Sequence, residues 1–277
     1  MKKILPIVLK IVIAVAVFSL AVVYVPKLFG QGGLNIFAPR KSESGNVIVR
    51  EPVANGLKSL PFSVKGEARV FENMIAYELR DAADGFVLSE GNAYANAPDV
   101  GRFGPFSVEI KSLRRLPMDG GVILEVFNYS AKDGSRENQV VVPLKLAKQD
   151  LQTLQVFFGK QGISEADCMT MAAVPRIVPK TSAPGRESLE FLLEGPTRTE
   201  AAEGYYTNLN PDVKIQRLAI ENGLAEVDFD ETLQRSVGGS CRVTAIRSQI
   251  VKTLKQFPTV ENVVISIDGR TEDILQP

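Results

Sequence analysis

GGSCRVTAIRSQIVKTLKQFPTVENVVISIDG, residues 238–269, decides how the second half of the chain folds. Val243, Ile246, Ile250, Leu254 and Phe257 recur at three- and four-residue steps, which lays them along one helical face. Arg242, Arg247, Lys252 and Lys255 fall on the rest of that surface. Ser240 reads as the N-cap, because its side-chain oxygen can accept from a free N–H of the first turn. Pro258 cannot continue a helix, and 263–267 is β-branched text that reads as the strand beyond it. Cys241 stands at the start of this helix and is one of only two cysteines in 277 residues.

Upstream, the runs 213–220 and 224–229 flank Asn222-Gly223, a strong hairpin signal. Residues 187–194 read as a short helix stopped by Gly195 and Pro196, and 153–158 and 171–178 read as strands. Residues 151–270 are therefore expected to form an α/β domain in which two helices cover one face of a small sheet. Lys148-Gln149-Asp150 marks its boundary. Before that boundary the text is of another kind. Short alternating runs at 47–50, 62–70, 74–80, 86–94, 106–113, 122–128 and 139–146 are parted by Asp84-Gly85, Pro98-Asp99, Asp119-Gly120-Gly121 and Asp133-Gly134. Seven strands without a convincing helix predict an immunoglobulin-like β-sandwich over 47–147. Residues 31–46, aperiodic and rich in Gly, Ser and Pro, read as a linker.

Residues 1–30 are of a third kind. From Ile11 to Val25 every residue but Ser19 is apolar, and 4–9 extends the run across Lys10. That is close to the roughly 20 residues a helix needs to span a bilayer. The segment reads as a retained transmembrane anchor, with a cleaved secretory signal as the alternative. Lysines and arginines lie on both sides of it, so the positive-inside rule orients it only weakly.

Lys plus Arg and Asp plus Glu number 32 each, so the balanced charge gives no electrostatic case for nucleic acid. The chain holds no histidine, which excludes Ser-His-Asp and Cys-His catalysis and imidazole zinc sites. No cofactor is expected. Cys168 and Cys241 allow three readings: a disulfide, two unrelated thiols, or a thiolate activated by a helix N-terminus. The disulfide is preferred. Both cysteines lie in one domain beyond a membrane segment, and a bridge would close a loop of about 73 residues, worth roughly 4 kcal/mol in the chain-entropy model. It would also orient the chain, N-terminus in and bulk out.

Four further motifs are candidate sites. Asp228 and Asp230 form a pair of acids at a strand end, as carboxylate-dependent glycoside hydrolysis would need. Alternation turns both away from the core, and the plain reading is that they meet water while Asp230 caps the following turn. Asp81–Gly85 and Lys132-Asp133-Gly134 carry the Asp and Gly of calcium loops but not the ligand spacing, and read as hairpin turns. Tyr205 and Tyr206 sit by a turn, where rings can stack on a glycan. Gly238-Gly239-Ser240 before a helix could hold an anion, although plain capping explains it.

Two stretches of text resemble known families. VPRIVPKT (174–181), FLLEGPTRTEAAEGYYT (191–207), LAIENGLAEVDFDETL (218–233) and the opening stretch together resemble a GerMN domain, the sporulation and spore-germination module of bacterial envelope proteins. FSVKGEARVFENMIAYELRDAADGFVL (62–88) and EVFNYSAKDGSRENQVVVPL (125–144) resemble the immunoglobulin-like domain that accompanies it. The resemblance implies a ring-building-like α/β fold for the second domain and an extracytoplasmic bacterial protein that binds or assembles rather than catalyses. The expected function is a non-enzymatic, membrane-anchored envelope protein whose partners are envelope proteins or peptidoglycan. The alternatives are a carboxylate-dependent cell-wall hydrolase and a homo-oligomeric scaffold.

Overall fold

The computed structural model describes residues 39–164 and 166–276. The segment read as an anchor or signal lies outside the described residues. No helix among the described residues is long and apolar enough to cross a membrane.

The first domain is a sandwich of two sheets. One sheet has the order β1-β2-β4-β7, formed by Arg40–Lys41, Val47–Glu51, Phe62–Ala68 and Gly104–Ile110. The other has the order β3-β9-β8-β5-β6, formed by Leu57–Lys58, Arg136–Leu146, Gly121–Tyr129, Met74–Asp81 and Val87–Tyr94. The two-residue period does the sorting: Val47, Val49, Phe62 and Val64 from the first sheet meet Ile75, Leu79, Leu124 and Val142 from the second. All seven strands read from the sequence are present. The two additional strands, β1 and β3, are two residues long, too short for any alternation to show. β1 corrects the reading of 31–46 as linker throughout, because Arg40 and Lys41 pair with Val49 and Ile48.

The second domain departs from one small sheet. It holds two three-stranded sheets, β11-β10-β12 and β13-β14-β15. The strands are β10 Leu151–Lys160, β11 Ala172–Pro179, β12 Tyr205–Tyr206, β13 Ile215–Glu221, β14 Leu224–Phe229 and β15 Asn262–Ile267. Asn222 and Gly223 both have positive φ and turn β13 into β14 as read. Three helices accompany the sheets: α1 Pro184–Glu194, α2 Arg198–Ala202 and α3 Ser240–Leu254.

The reason for two sheets lies on α3. Gln256 accepts from the Gln155 N–H at 2.7 Å and donates to the Gln155 carbonyl at 2.8 Å. Thr253 Oγ1 accepts from the Phe157 N–H, and Gln249 Nε2 donates to the Phe157 carbonyl. Side chains of α3 and the turn after it thus satisfy the free edge of β10, where a strand of the other sheet would otherwise pair. β12 takes only the last two positions, Gly159 and Lys160. The apolar stripe of α3 packs Val243, Ile246, Ile250 and Leu254 against Leu154 and Phe158 of β10, Val227 and Phe229 of β14, and Leu189 and Leu192 of α1.

Two details of the helix differ from the sequence reading. Its N-cap is Gly239, at φ 85°, so Ser240 is the first helical residue and its side chain caps nothing. The glycine supplies a turn into the helix that a serine would adopt only under strain. The helix also stops at Leu254, leaving Phe257 to pack on the core from the following turn.

An interdomain cleft as the candidate functional site

The two domains are joined by more than the chain between them. After β7, Leu113 exchanges two backbone hydrogen bonds with Ile177 of β11, at 3.0 and 2.7 Å. Ile177 and Leu151 then pack on the core of the sandwich. Beside this bridge stands Glu200, fully buried, on α2. Its carboxylate accepts from Arg176 Nη1 and Nη2 at 2.6 and 2.7 Å and lies 3.4 Å from Arg114 Nε. Arg114 comes from the first domain and also donates to both carboxylate oxygens of Glu203. Its guanidinium stacks over Phe86 at 5.3 Å, and its Nη1 is buried without an acceptor.

Two contacts extend the clamp. The Thr199 N–H donates to Glu90 of β6 at 2.6 Å, and Arg198 lies 4.2 Å over the Tyr129 ring. Buried ion pairs add little net stability against an apolar substitute, but their geometry fixes orientation, and an orphaned partner is costly.

The clamp leaves open a cleft of about 870 Å³ between the domains. Its walls are residues 88–92 of β6, residues 107–109 of β7 and residues 194–198 between α1 and α2. Four acidic and four basic residues line it, so its charge is balanced. Tyr77 lines it with its ring over Gly91; burial raises its hydroxyl pKa above the usual 10, a hydrogen bond with Ser89 opposes that rise, and Glu194 and Glu90 add to it.

None of the candidate site residues read from the sequence lines this cleft, although the helix-stopping Gly195 and Pro196 do. Asp228, half-buried, accepts from Ser266 Oγ at 2.6 Å and the Gly269 N–H at 2.9 Å, so it fastens β15 and the turn after it. Asp230 stands at the N-cap position of a short 3-10 turn and its carbonyl accepts from the Leu233 N–H, but its carboxylate accepts from the Lys214 N–H and Thr232 Oγ1 and caps no N–H of that turn. Tyr205 packs against the domain core with Lys160 Nζ 3.7 Å from its ring centre. Tyr206 lies over Gly159, where an added Cβ would stand 2.5 Å from the ring. Gly238, Gly239 and Ser240 lead into α3 with no side-chain cap. Cys168 and Cys241 are joined by a disulfide, with their Cα atoms 5.4 Å apart.

The calcium-like motifs are turns. No group of three or more His, Cys, Asp or Glu that could hold a metal occurs among the described residues. Asp133 accepts from the Ser135 hydroxyl and N–H, which hold its carboxyl below the usual range. Asp81 is buried. The Ala83 and Met118 N–H groups each donate to it at 3.0 Å, and Arg115 Nη1 lies 2.8 Å away. These contacts, that from Ala83 foremost, hold its carboxyl below the ordinary 3.8 although burial acts the other way. A lowered folded-state pKa means stabilisation that is complete above the unfolded value and lost as pH falls through the folded one. Asp81→Asn is therefore expected to be less stable than wild type at pH 7, with the gap closing as the pH drops below 3.8. Urea midpoints measured from pH 7 to pH 2 check this, and a gap independent of pH would contradict it.

The clamp residues were missed by sequence reading. Only one local signal points to them: Thr197 and Glu200 form a capping box, the Thr side chain accepting from the Glu200 N–H and the Glu side chain from the Thr197 N–H.

Residues 155–273 match the family model described as Germane, sporulation and spore germination, and residues 46–135 match Gmad2, the immunoglobulin-like domain of bacterial spore germination. Among solved structures, the first GerMN domain of the sporulation protein GerM from Bacillus subtilis is 19% identical, over 43% of this chain and 85% of that one, with a TM-score of 0.34. The tandem GerMN domains of the same protein are 21% identical, over 44% of this chain and 40% of that one, again at 0.34. No curated protein matches the chain.

Proposed function

Because the chain carries a sporulation and spore germination (Germane) domain behind an immunoglobulin-like domain of bacterial spore germination, we propose that it is a non-enzymatic envelope protein, held by its N-terminal segment on the extracytoplasmic face of a bacterial membrane. Its two domains act as one binding unit for an envelope protein or peptidoglycan. The observation that carries this reading is the Glu200-centred clamp, which fixes two domains around a cleft large enough for a ligand. The disulfide supports a location outside the reducing cytosol. Catalysis is disfavoured because the chain has no histidine and the two candidate acids are committed to hydrogen bonds within their own sheet and turn.

The test uses the full chain, immobilised in detergent and exposed to purified peptidoglycan and to an envelope extract. The expected result is retention of one of the two, with no sugar or peptide fragments released from the peptidoglycan. Retention of neither would remove the binding reading. Fragment release that disappears in Asp228→Asn would replace it with the hydrolase.

A further inference from the structure

The sandwich has four sheet edges, and three of them are blunted. β1 and β3 are two residues long and bear Arg40-Lys41 and Leu57-Lys58. β7 carries Pro105, whose carbonyl accepts from Asn96 N–H on the outer side, so the N–H that proline lacks is missing from that same edge. Short strands, lysines and prolines are the usual protections against pairing with another chain. The fourth edge, β6, has none of them. Its sequence VLSEGNAY runs for eight residues without Pro, Lys or Arg, and β5 is its only strand partner among the described residues.

β6 is also the edge that lines the cleft. The second domain faces it across the cleft through residues 194–198, while Asn92 and Tyr94 near its C-terminal end stay exposed. A ladder on that edge has already begun at one end, where Arg114 N–H donates to the Leu88 carbonyl at 2.7 Å. Beyond that point Gly91 has its own face covered by the ring of its cross-strand partner Tyr77, where an added Cβ would stand 2.8 Å away, so the ring packs over the strand and leaves the edge itself to a partner.

We propose that an extended peptide adds to β6 inside the cleft, as a sixth strand of the five-stranded sheet. Residues 88–92 offer a track of about 17 Å, enough for four or five extended residues, and the cleft volume is of a size that holds such a ligand. Backbone hydrogen bonds supply the affinity, as in other strand additions. The equal numbers of acidic and basic lining residues select uncharged side chains, and the serines at 89, 107 and 112 select small ones. The proposal names the class of partner for the cleft and so rests on reading the chain as a binding protein.

The test is hydrogen–deuterium exchange of the full chain in detergent, with and without a mixture of capped pentapeptides randomised over alanine, serine, threonine and valine. A saturating mixture is expected to slow exchange of the β6 amides by roughly tenfold, while the same mixture N-methylated at every amide, which leaves neither edge of the peptide with a donor, does nothing. Ser107→Trp, at an exposed position on the facing wall, fills the cleft without touching the β5–β6 ladder and is expected to abolish the protection. Equal protection by the N-methylated mixture, or protection that survives Ser107→Trp, would overturn the strand addition. No protection by the peptides, in a chain that still retains peptidoglycan or an envelope protein, would overturn it too and leave the binding reading standing.

Discussion

Replacing Glu200 with alanine is expected to lower the stability of the folded chain by about 3–5 kcal/mol and to split its unfolding into two transitions. The carboxylate is fully buried and answers four donors at once: Arg176 through Nη1 and Nη2, the Thr197 N–H at 2.9 Å, and Arg114 Nε at 3.4 Å. Arg176 has a side chain only 5% exposed, so without Glu200 its charge is left in a nearly dry site. Arg114 keeps Glu203, which is why the loss falls on the second domain and on the joint rather than on the sandwich. Glu200→Gln keeps the shape and one acceptor and should cost roughly half as much, while Thr197→Ala, which removes the capping contact alone, should cost about 1 kcal/mol. Urea unfolding followed by tyrosine fluorescence separates these terms, since Tyr77 and Tyr129 lie in the first domain and Tyr205 and Tyr206 in the second. A single transition with a loss below about 1 kcal/mol for Glu200→Ala would show that the ion pairs do not couple the domains.

What the sequence made legible follows from the range over which each signal acts. The strands of the sandwich show as a two-residue period, because each is sorted by which of its side chains reaches the core. α3 shows as a stripe at helical spacing for the same reason. The division of the second domain into two sheets did not show. It depends on Gln249, Thr253 and Gln256, which in sequence look like ordinary polar helix positions, yet Gln249 and Thr253 are wholly buried against the edge of β10. A polar residue that meets a backbone about 95 residues away carries no periodic mark; the separations here are 92 and 96. The clamp was hidden in the same way, since Arg114 and Glu203 stand 89 residues apart. The candidate acids misled for a related reason: Asp228 points away from the core as alternation requires, but the partner that claims it, Ser266, comes from a strand 38 residues later.

The disulfide provides the second large effect. Reducing it, or replacing Cys168 and Cys241 with serine, is expected to cost about 4 kcal/mol, because the bridge spans 73 residues and its loss frees that loop in the unfolded chain. The folded state should survive the change. The apolar stripe of α3 remains packed, Ser248 Oγ still donates to the Met169 carbonyl at 2.9 Å, and Asp167 still accepts from the Met169 N–H and Thr170 Oγ1. What loosens is the first turn of α3, which has glycine at its N-cap and no side chain closing its free N–H groups. Urea midpoints should therefore fall with reductant, with a steeper slope because the freed loop lets the unfolded chain expose more surface, and amide exchange should quicken in that turn before it does in the rest of the helix. An unchanged midpoint would mean that the bridge holds nothing the core does not already hold. The argument for an oxidising compartment would then lose its energetic basis, since only a crosslink that the fold depends on ties the chain to the place where such a bond persists.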